Sequence, residues 1–329
     1  MISGNVIHGH ERAELLLANA IRKDRIFPSW IFHGPFGVGK STIAHRFAAH
    51  LLSEEMPESE RLDIDADNST CRLMNSGTHP DFFLLKQSDE SISLESTRNL
   101  FLKIRKAPSL SKWRAVIVEN ASRLNANIYN SLLKVLEDPP KQTVIIMICD
   151  NLGTIPKTLL SRAAKVSFSP LDESAVEKIL RNMGLKEAKK LAQLSSGSVG
   201  YALYLHENNG LEIYRSLLDG FSSAGADYKK ALKCILANGW CDNFRILRST
   251  LLKILKTYTN MLGNVVDENC AEEALALKPS IPSENERIIE ETEKVHEIVS
   301  LLNRGESMAL DKSSILLWVF ERFFSGRGF

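Results

Sequence analysis

Residues 34–42 combine the residue types and the spacing of a loop that binds nucleotide phosphates. The pattern G-x-x-x-x-G-K-[ST] uses glycines to turn backbone N–H groups toward phosphate oxygens, and the following helix N-terminus adds a favourable dipole. Lys40 would neutralise the β- and γ-phosphates, and the Ser41 hydroxyl would coordinate Mg²⁺. We therefore predict a site for ATP or ADP with Mg²⁺ formed by Gly34, Pro35, Phe36, Gly37, Val38, Gly39, Lys40, Ser41 and Thr42.

Hydrolysis would need two further groups, a carboxylate near the Mg²⁺ and a base that activates water. The apolar run AVIV at residues 115–118 ends at Glu119, which would hold the metal through a water molecule. Equally open is that Glu119 only packs at the end of a strand. The next residue is Asn120, whose amide cannot accept a proton from water at neutral pH. The sequence therefore predicts binding with little or no hydrolysis.

Short apolar runs and helical patterns alternate from the N-terminus to residue 168. The runs SWIFHG, DFFLLK, RAVIVE and TVIIMIC are rich in Val, Ile and Phe, as buried parallel strands are. Helical patterns such as STIAHRFAAHLL separate them. This alternation predicts an α/β domain with a mostly parallel sheet over residues 1–168.

Beyond residue 171 nearly every pattern is helical. We expect a small helical subdomain at residues 169–208 and an all-helical domain at residues 209–329, with loops at 53–70 and 278–286. The last helix has an apolar face that serves either the core or a contact between subunits. That face comprises Ile315, Leu316, Trp318, Val319, Phe320 and Phe323.

Composition excludes several classes of protein. The 41 Lys and Arg residues against 40 Asp and Glu give no basic bias for free-standing nucleic-acid binding. No run approaches the roughly 20 apolar residues of a membrane span, and the N-terminus has no signal-peptide pattern. The five cysteines lack C-x-x-C spacing. We expect a cytoplasmic protein with reduced thiols and no membrane contact.

Three stretches resemble the clamp-loader branch of the AAA+ ATPases, namely SGTHPDFFLL, NSLLKVLEDPP and IPKTLLSRAAKV. The resemblance is specific over roughly residues 4–205 and weak over the helical C-terminal third. It implies an AAA+ P-loop domain, a helical lid and a helical collar through which subunits assemble. It also implies a role in DNA replication, with gamma/tau and delta subunits as partners. Contact with the sliding clamp and primed DNA would be made by the assembled ring of subunits.

In that family the arginine of a Ser-Arg-Cys motif reaches, in trans, the γ-phosphate held by the adjacent subunit. The resemblance assigns this arginine-finger role to Arg162. A guanidinium suits it, because its planar fork spans two phosphate oxygens and stays charged. Taken alone, Arg162 is better interpreted as a residue that caps a helix or pairs with a surface acid, since surface arginines are common.

Departures from the family pattern concern catalysis. Ala163 replaces the motif cysteine, and no arginine stands near Gly200 and Tyr201, where active loaders carry one. Cys149 or Asp150 occupies the position where a small hydroxyl residue is frequent. With Asn120, these changes imply a subunit that holds nucleotide without turning it over.

The family often binds a structural Zn²⁺ with four cysteines, and only the last of them remains, as Cys71. One thiolate does not hold zinc, so we predict no zinc site. His79 precedes Pro80 and is interpreted as a turn residue.

Two other functions would require different residues. A working motor ATPase, either a catalytic clamp-loader subunit or a branch-migration helicase, would carry an acid at Asn120 and an arginine near Tyr201. A P-loop kinase would carry a substrate lid within the α/β domain, and it leaves the helical C-terminal third unexplained.

Overall fold

A computed structural model describes most of the chain. The described residues are 9–53, 61–65, 67–86, 100, 103–222, 233, 235, 243–263, 265, 270–281, 285–305 and 311–324. The chain divides into two compact units, Met1–Tyr201 and Ala202–Phe329. The finer division into three domains, with boundaries at residues 168 and 208, stays a prediction.

Five parallel strands form the sheet of the first unit, which confirms the predicted α/β fold. Their order across the sheet is β2-β3-β4-β1-β5. Four of them lie where the apolar runs predicted strands, whereas β5 was missed because its sequence, AKVS, contains no apolar run. The strands are β1 (Ser29–His33), β2 (Phe82–Leu85), β3 (Arg114–Val118), β4 (Thr143–Cys149) and β5 (Ala164–Ser167).

The central strands bury both faces, with alternate side chains in two separate cores. On β1, Trp30 and Phe32 enter one core and Ile31 the other. Helices α1, α2 and α3 supply the first core, and α4 supplies the second. The helices of this unit are α1 (Glu11–Arg22), α2 (Lys40–Leu52), α3 (Ser69–Asn75), α4 (Ala126–Glu137), α5 (Lys157–Leu160), α6 (Glu173–Asn182), α7 (Ala188–Leu194) and α8 (Val199–Glu207), which crosses the boundary between the units.

Strand register decides which loops meet. In the β1–β4 pair, Ser29 lies opposite Ile145 and His33 lies opposite Cys149. Both strands therefore end at the same level, and the loops that follow them start side by side at the carboxyl edge of the sheet.

Helices make up the second unit, and no strand occurs among its described residues. Five of the six apolar residues predicted on the last helix are buried, and Phe320 and Phe323 pack against Phe221. Trp318 is 37% exposed. These helices are α9 (Gly210–Ser222), α10 (Phe244–Leu262), α11 (Ala271–Leu277), α12 (Asn285–Gly305) and α13 (Lys312–Phe324).

Both predicted loops are shorter than expected where the structure describes them. Residues 278–280 form a 3₁₀ turn, and α12 already begins at Asn285. In the loop at 53–70, Ser69 begins α3, and residues 54–60 and 66 lie outside the described part.

Among the described residues, no helix combines the length and the apolar character needed to cross a bilayer.

Asp81 anchors the approach to β3 from the end of a turn. It is fully buried, and its carboxylate accepts hydrogen bonds from the backbone N–H groups of Ser109, Leu110 and Ser111. Arg114 Nη2 lies 3.2 Å from the same carboxylate. Burial by itself would raise the pKa of Asp81, but these four donors hold it below its ordinary value.

We expect Asp81→Ala to lower the free energy of unfolding by about 3–5 kcal/mol, because a buried cation and three N–H groups lose their anion. Urea-induced unfolding of the full chain at pH 7 measures the loss. Because the folded-state pKa is lowered, the stabilisation is present above about pH 4 and is lost as the pH falls through that pKa. Asp81→Asn should therefore flatten the acid side of the stability profile.

Glu177→Ala is the control, since it removes a carboxylate from a surface pair with Arg181. The change should stay within about 0.5 kcal/mol. Equal losses in the Asp81 and Glu177 variants would contradict the anchoring role of Asp81.

Candidate nucleotide-binding site

The loop between β1 and α2 depends on glycine at three positions. Gly34, Gly37 and Gly39 have φ values of +149°, +74° and +110°, which side-chain-bearing residues rarely adopt. A Cβ on Gly34 would lie 2.1 Å from the carbonyl oxygen of Phe168. These glycines allow the chain to turn tightly before Lys40 begins α2. The backbone geometry therefore suits a phosphate cradle at a helix N-terminus.

Lys40 holds the loop together from inside. Its buried ammonium donates hydrogen bonds to Gly34 O at 2.6 Å, Pro35 O at 2.7 Å and Asp150 Oδ1 at 2.8 Å. These three acceptors use all three N–H donors of the lysine. A phosphate group would compete for the same donors, so Lys40 would exchange loop carbonyls for phosphate oxygens if a nucleotide bound here.

Ser41 and Glu119 lie together beside the lysine. Ser41 Oγ donates a hydrogen bond to Glu119 Oε1 at 2.8 Å. The Glu119 side chain is 22% exposed, with Lys86 Nζ at 3.9 Å. A hydroxyl and a carboxylate at this separation are oxygen ligands of the kind that Mg²⁺ prefers. The residues present therefore fit a nucleotide with its Mg²⁺. Glu119, which follows β3, does more than pack at the end of the strand, because it contacts Ser41 in the site.

Of the two candidates at the end of β4, the structure brings Asp150 into the site. Its carboxylate is half exposed and paired with Lys40, whereas Cys149 is 1% exposed inside the core. Burial raises the pKa of the Cys149 thiol to about 11, so it stays protonated. A single sequence gave no reason to choose between neighbours, but strand alternation decides which of them faces the core.

Asn120 follows Glu119 in a left-handed backbone conformation, with φ +51° and ψ +44°. It is exposed. Asparagine and aspartate both tolerate this conformation. The fold would accept a carboxylate at Asn120, so the amide is not imposed by the backbone.

The segment from Ser198 to Tyr201 forms hydrogen bonds with the phosphate loop, residues 34–42. Ser198 Oγ donates to Phe36 O at 2.8 Å, and the Gly200 N–H donates to Gly37 O at 2.8 Å. The Tyr201 N–H donates to Ser198 Oγ at 3.0 Å. A Cβ on Gly200 would lie 2.7 Å from the Cα of Gly37, so both glycines are needed for the approach. This contact was not predicted from the sequence, where the Gly and Ser residues of SSGSVG are its only signal.

His10 braces the other side of the loop. Its Nε2 donates to Val38 O at 2.6 Å, and its ring packs edge-on against Phe168 with 5.1 Å between centroids. His10 precedes α1 and belongs to no motif, so no sequence pattern indicates this role. Pro35, Phe36 and Thr42 are exposed around the loop, whereas Val38 is buried.

Arg162 lies away from this group. Its guanidinium donates to Thr158 O at 3.0 Å and lies 3.4 Å from Glu137 Oε1. Its carbonyl oxygen accepts a hydrogen bond from Ser29 Oγ at 2.5 Å, and Ser29 begins β1. The phosphate loop starts where β1 ends, about 16 Å farther along the strand at roughly 3.3 Å per residue. Arg162 is therefore at the opposite edge of the sheet from the Lys40 of its own chain.

Cys71 is fully buried in the core, and burial raises the pKa of its thiol to about 11. Within the described residues, no three His, Cys, Asp or Glu side chains form a group that could hold a metal ion by themselves. That no zinc binds here stays a prediction. His79 is buried in the turn, where its Nδ1 accepts the Asp81 N–H at 3.1 Å, as the turn interpretation requires.

We expect Gly37→Ala to weaken binding of Mg²⁺–ADP about five- to thirtyfold, since strain of about 1–2 kcal/mol at positive φ, relieved by moving the loop out of its binding conformation, corresponds to that factor. The added Cβ would also lie 2.4 Å from Ser198 Oγ and 2.7 Å from the Tyr201 nitrogen. This overlap would disrupt the hydrogen bonds between the Ser198 segment and the loop. Titration calorimetry of the full chain with ADP measures the change.

Gly77→Ala is a matched control, with φ +71° and nothing within 4 Å of the added Cβ. It carries the same backbone strain away from the site, so it should lower stability and leave ADP affinity unchanged. If both variants bind ADP like the parent chain, the contact between Gly37 and the Ser198 segment is not part of the site.

Relatives among characterised proteins match between 58% and 70% of the chain. The Bacillus subtilis DNA polymerase III subunit delta' is 30% identical over 204 residues, 60% of this chain and 59% of that protein. The Pseudomonas aeruginosa subunit delta' is 28% identical over 198 residues, 58% of this chain and 60% of that protein. The Bacillus subtilis subunit tau is 26% identical over 231 residues, 70% of this chain and 40% of that protein. The chain thus matches three fifths or less of the length of these relatives.

Solved structures with a similar backbone include a DNA polymerase III gamma subunit-related protein from Thermotoga maritima. It has a TM-score of 0.42 and 15% identity, covering 94% of this chain and 99% of that one. Thermotoga maritima RuvB has a TM-score of 0.42 and 16% identity, covering 81% of this chain and 84% of that one.

A family model described as "DNA polymerase III, delta subunit" matches residues 9–172. The matched region contains the five strands, the phosphate loop and Arg162. It also contains the three stretches on which the resemblance to clamp loaders was based. Residues 9–172 therefore belong to the family of DNA polymerase III clamp-loader subunits.

Proposed function

We propose that the chain is a delta'-type subunit of a DNA polymerase III clamp loader. It holds a nucleotide in its phosphate loop with little or no hydrolysis and supplies Arg162 to the ATP site of a neighbouring gamma/tau-type subunit. The assembled ring, which also contains a delta subunit, places the sliding clamp on primed DNA. The near-zero net charge agrees with DNA contact through the ring rather than by this chain alone.

The observation that carries this proposal is the separation of Arg162 from its own phosphate loop. Ser29 ties the Arg162 backbone to the start of β1, and the loop leaves from the other end of the strand. An arginine side chain does not extend that far. An arginine that serves a nucleotide from this position serves one bound by another subunit.

The side chain of Arg162 is available for that task. It is 39% exposed, and its partner Glu137 is 57% exposed, so water screens the pair and little free energy is lost when it opens. A guanidinium brought to a neighbour's γ-phosphate stabilises the charge that develops there during transfer to water. Glu137 and the Thr158 carbonyl orient the guanidinium until then.

Within the chain's own site, residues for binding outnumber residues for hydrolysis. Lys40, Ser41 and the loop N–H groups would hold the phosphates and Mg²⁺, and Glu119 would orient the metal's water shell. Mg²⁺ supplies charge neutralisation on the phosphates when it is bound. Asn120 offers no base for an attacking water.

An active motor ATPase is the second candidate, and one observation favours it. Asp150 brings a half-exposed carboxylate to Lys40, in addition to Glu119. A carboxylate in that position would orient a water molecule if Lys40 released it for phosphate.

We expect the purified chain to bind ATP and to show no turnover above background, because Asn120 supplies no base. Calorimetry establishes binding, and release of phosphate measures turnover on the same sample. Lys40→Ala should abolish binding. Brisk turnover that Lys40→Ala removes would contradict the proposal and support the motor ATPase.

We expect Arg162→Ala to slow ATP hydrolysis by about 10³-fold at the neighbouring site that it completes, the magnitude usual for an arginine finger. The measurement is single-turnover hydrolysis by the assembled complex. Arg162→Lys keeps the charge but loses the planar fork, so it should rescue only part of the rate. ADP affinity of the chain's own loop should not change, because Arg162 lies at the opposite edge of the sheet.

Arg181→Ala is the control, since it removes an exposed arginine from α6. It should leave the rate of the complex unchanged. Unchanged hydrolysis with Arg162→Ala would refute the finger.

A further inference from the structure

A groove of about 250 Å³ lies beside Arg162, between α1 and the starts of β1 and β5. Ala164, two residues after Arg162, lines it, and Ser29, which binds the Arg162 carbonyl, adjoins its wall at Trp30. The lining residues are Leu16, Asn19, Ala20, Lys23, Arg25, Phe27, Trp30, Ala164 and Lys165.

The groove exposes large apolar side chains next to one another. Leu16 is 44% exposed and Phe27 is 59% exposed, and both belong to its lining. The Phe27 ring packs edge-on against the buried Trp30 with 5.7 Å between centroids, so it is held at the surface. Adjacent exposed apolar groups on a rigid support are typical of a binding surface, whereas scattered ones are not.

Positive charge surrounds this apolar floor. Lys23, Arg25 and Lys165 are exposed, and within the described residues none of them forms an ion pair with an acid. Asp24 stands between two of these cations in the sequence, but its carboxylate lies 3.6 Å from Lys112. The rim therefore carries three cations without a counter-charge from described side chains.

We propose that this groove is a docking site for a neighbouring polypeptide, which inserts a short segment with apolar side chains flanked by Asp or Glu. The apolar floor would bury the apolar side chains, and the rim cations would pair with the carboxylates. The proposal rests on the proposed function, since the neighbour is the ATPase subunit that receives Arg162. A nucleic acid fits the aliphatic part of the floor less well, because Leu16 and Ala20 offer no surface for base stacking.

The groove and the finger have separate tasks in this arrangement. The groove sets the affinity for the neighbour, and the hydrogen bond from Ser29 to the Arg162 carbonyl fixes the finger relative to it. Loss of the groove contacts should weaken association, whereas loss of the guanidinium should slow hydrolysis in a complex that still forms.

The test uses two variants of the full chain, the charge reversal Lys23→Glu/Arg25→Glu and the polar replacement Leu16→Gln. Interferometry measures their affinity for the purified neighbouring ATPase subunit at low and at physiological salt. We expect each variant to bind at least tenfold more weakly. The charge reversal should lose more affinity at low salt than at physiological salt, because it replaces attraction to the partner's carboxylates by a repulsion that salt screens.

Matched controls come from elsewhere on the surface. Lys178→Glu/Lys189→Glu reverses two exposed charges on α6 and α7, and Leu275→Gln replaces a side chain that is 73% exposed in the second unit. Both should bind like the parent chain. Equal thermal unfolding midpoints establish that the groove variants are folded, which their exposed positions lead us to expect.

The outcomes separate this proposal from the finger. Groove variants that bind like the parent chain overturn the docking site, even if Arg162→Ala still slows hydrolysis and so supports the finger. Groove variants that bind weakly support the docking site, even if Arg162→Ala leaves hydrolysis unchanged and so refutes the finger. Loss of binding to labelled single-stranded DNA, with subunit binding intact, would assign the groove to nucleic acid and overturn the proposal.

Discussion

Parallel pairing of β1 with β4 is the constraint on which the candidate site depends. Because His33 and Cys149 lie opposite each other, the chain leaves both strands at one level. The loop after β1 then meets the residue after β4, and Lys40 reaches Asp150 at 2.8 Å. A slip of one residue in this register would turn Asp150 toward a different neighbour and would exchange the two core faces of β4.

The direction of β1 gives the first unit two separate edges. Its carboxyl end carries the phosphate loop, and its amino end carries the turn with Arg162 and the apolar groove. The length of β1 thus separates Arg162 from the nucleotide that the phosphate loop would bind. This separation is what a ring subunit needs if each of its edges faces a different neighbour.

Contacts around the phosphate loop come from distant parts of the chain. His10 binds Val38 from one side, and the segment from Ser198 to Tyr201 binds Phe36 and Gly37 from the other. The tertiary structure therefore fixes a loop whose glycines would leave it free by themselves. Backbone and serine contacts from the segment at Ser198 to Tyr201 thus hold the loop in place.

The sequence by itself determined the phosphate loop, the alternation of strands and helices, and the unusual Asn120, because these depend on local spacing and on side-chain chemistry. It missed β5, whose short polar sequence forms a strand only because β1 offers a partner edge. It also missed His10, Ser198 and the groove beside Arg162, and it left Asp150 undecided. Only the tertiary structure decided these features, since contacts between residues as many as 162 positions apart depend on register and packing, which leave no local pattern.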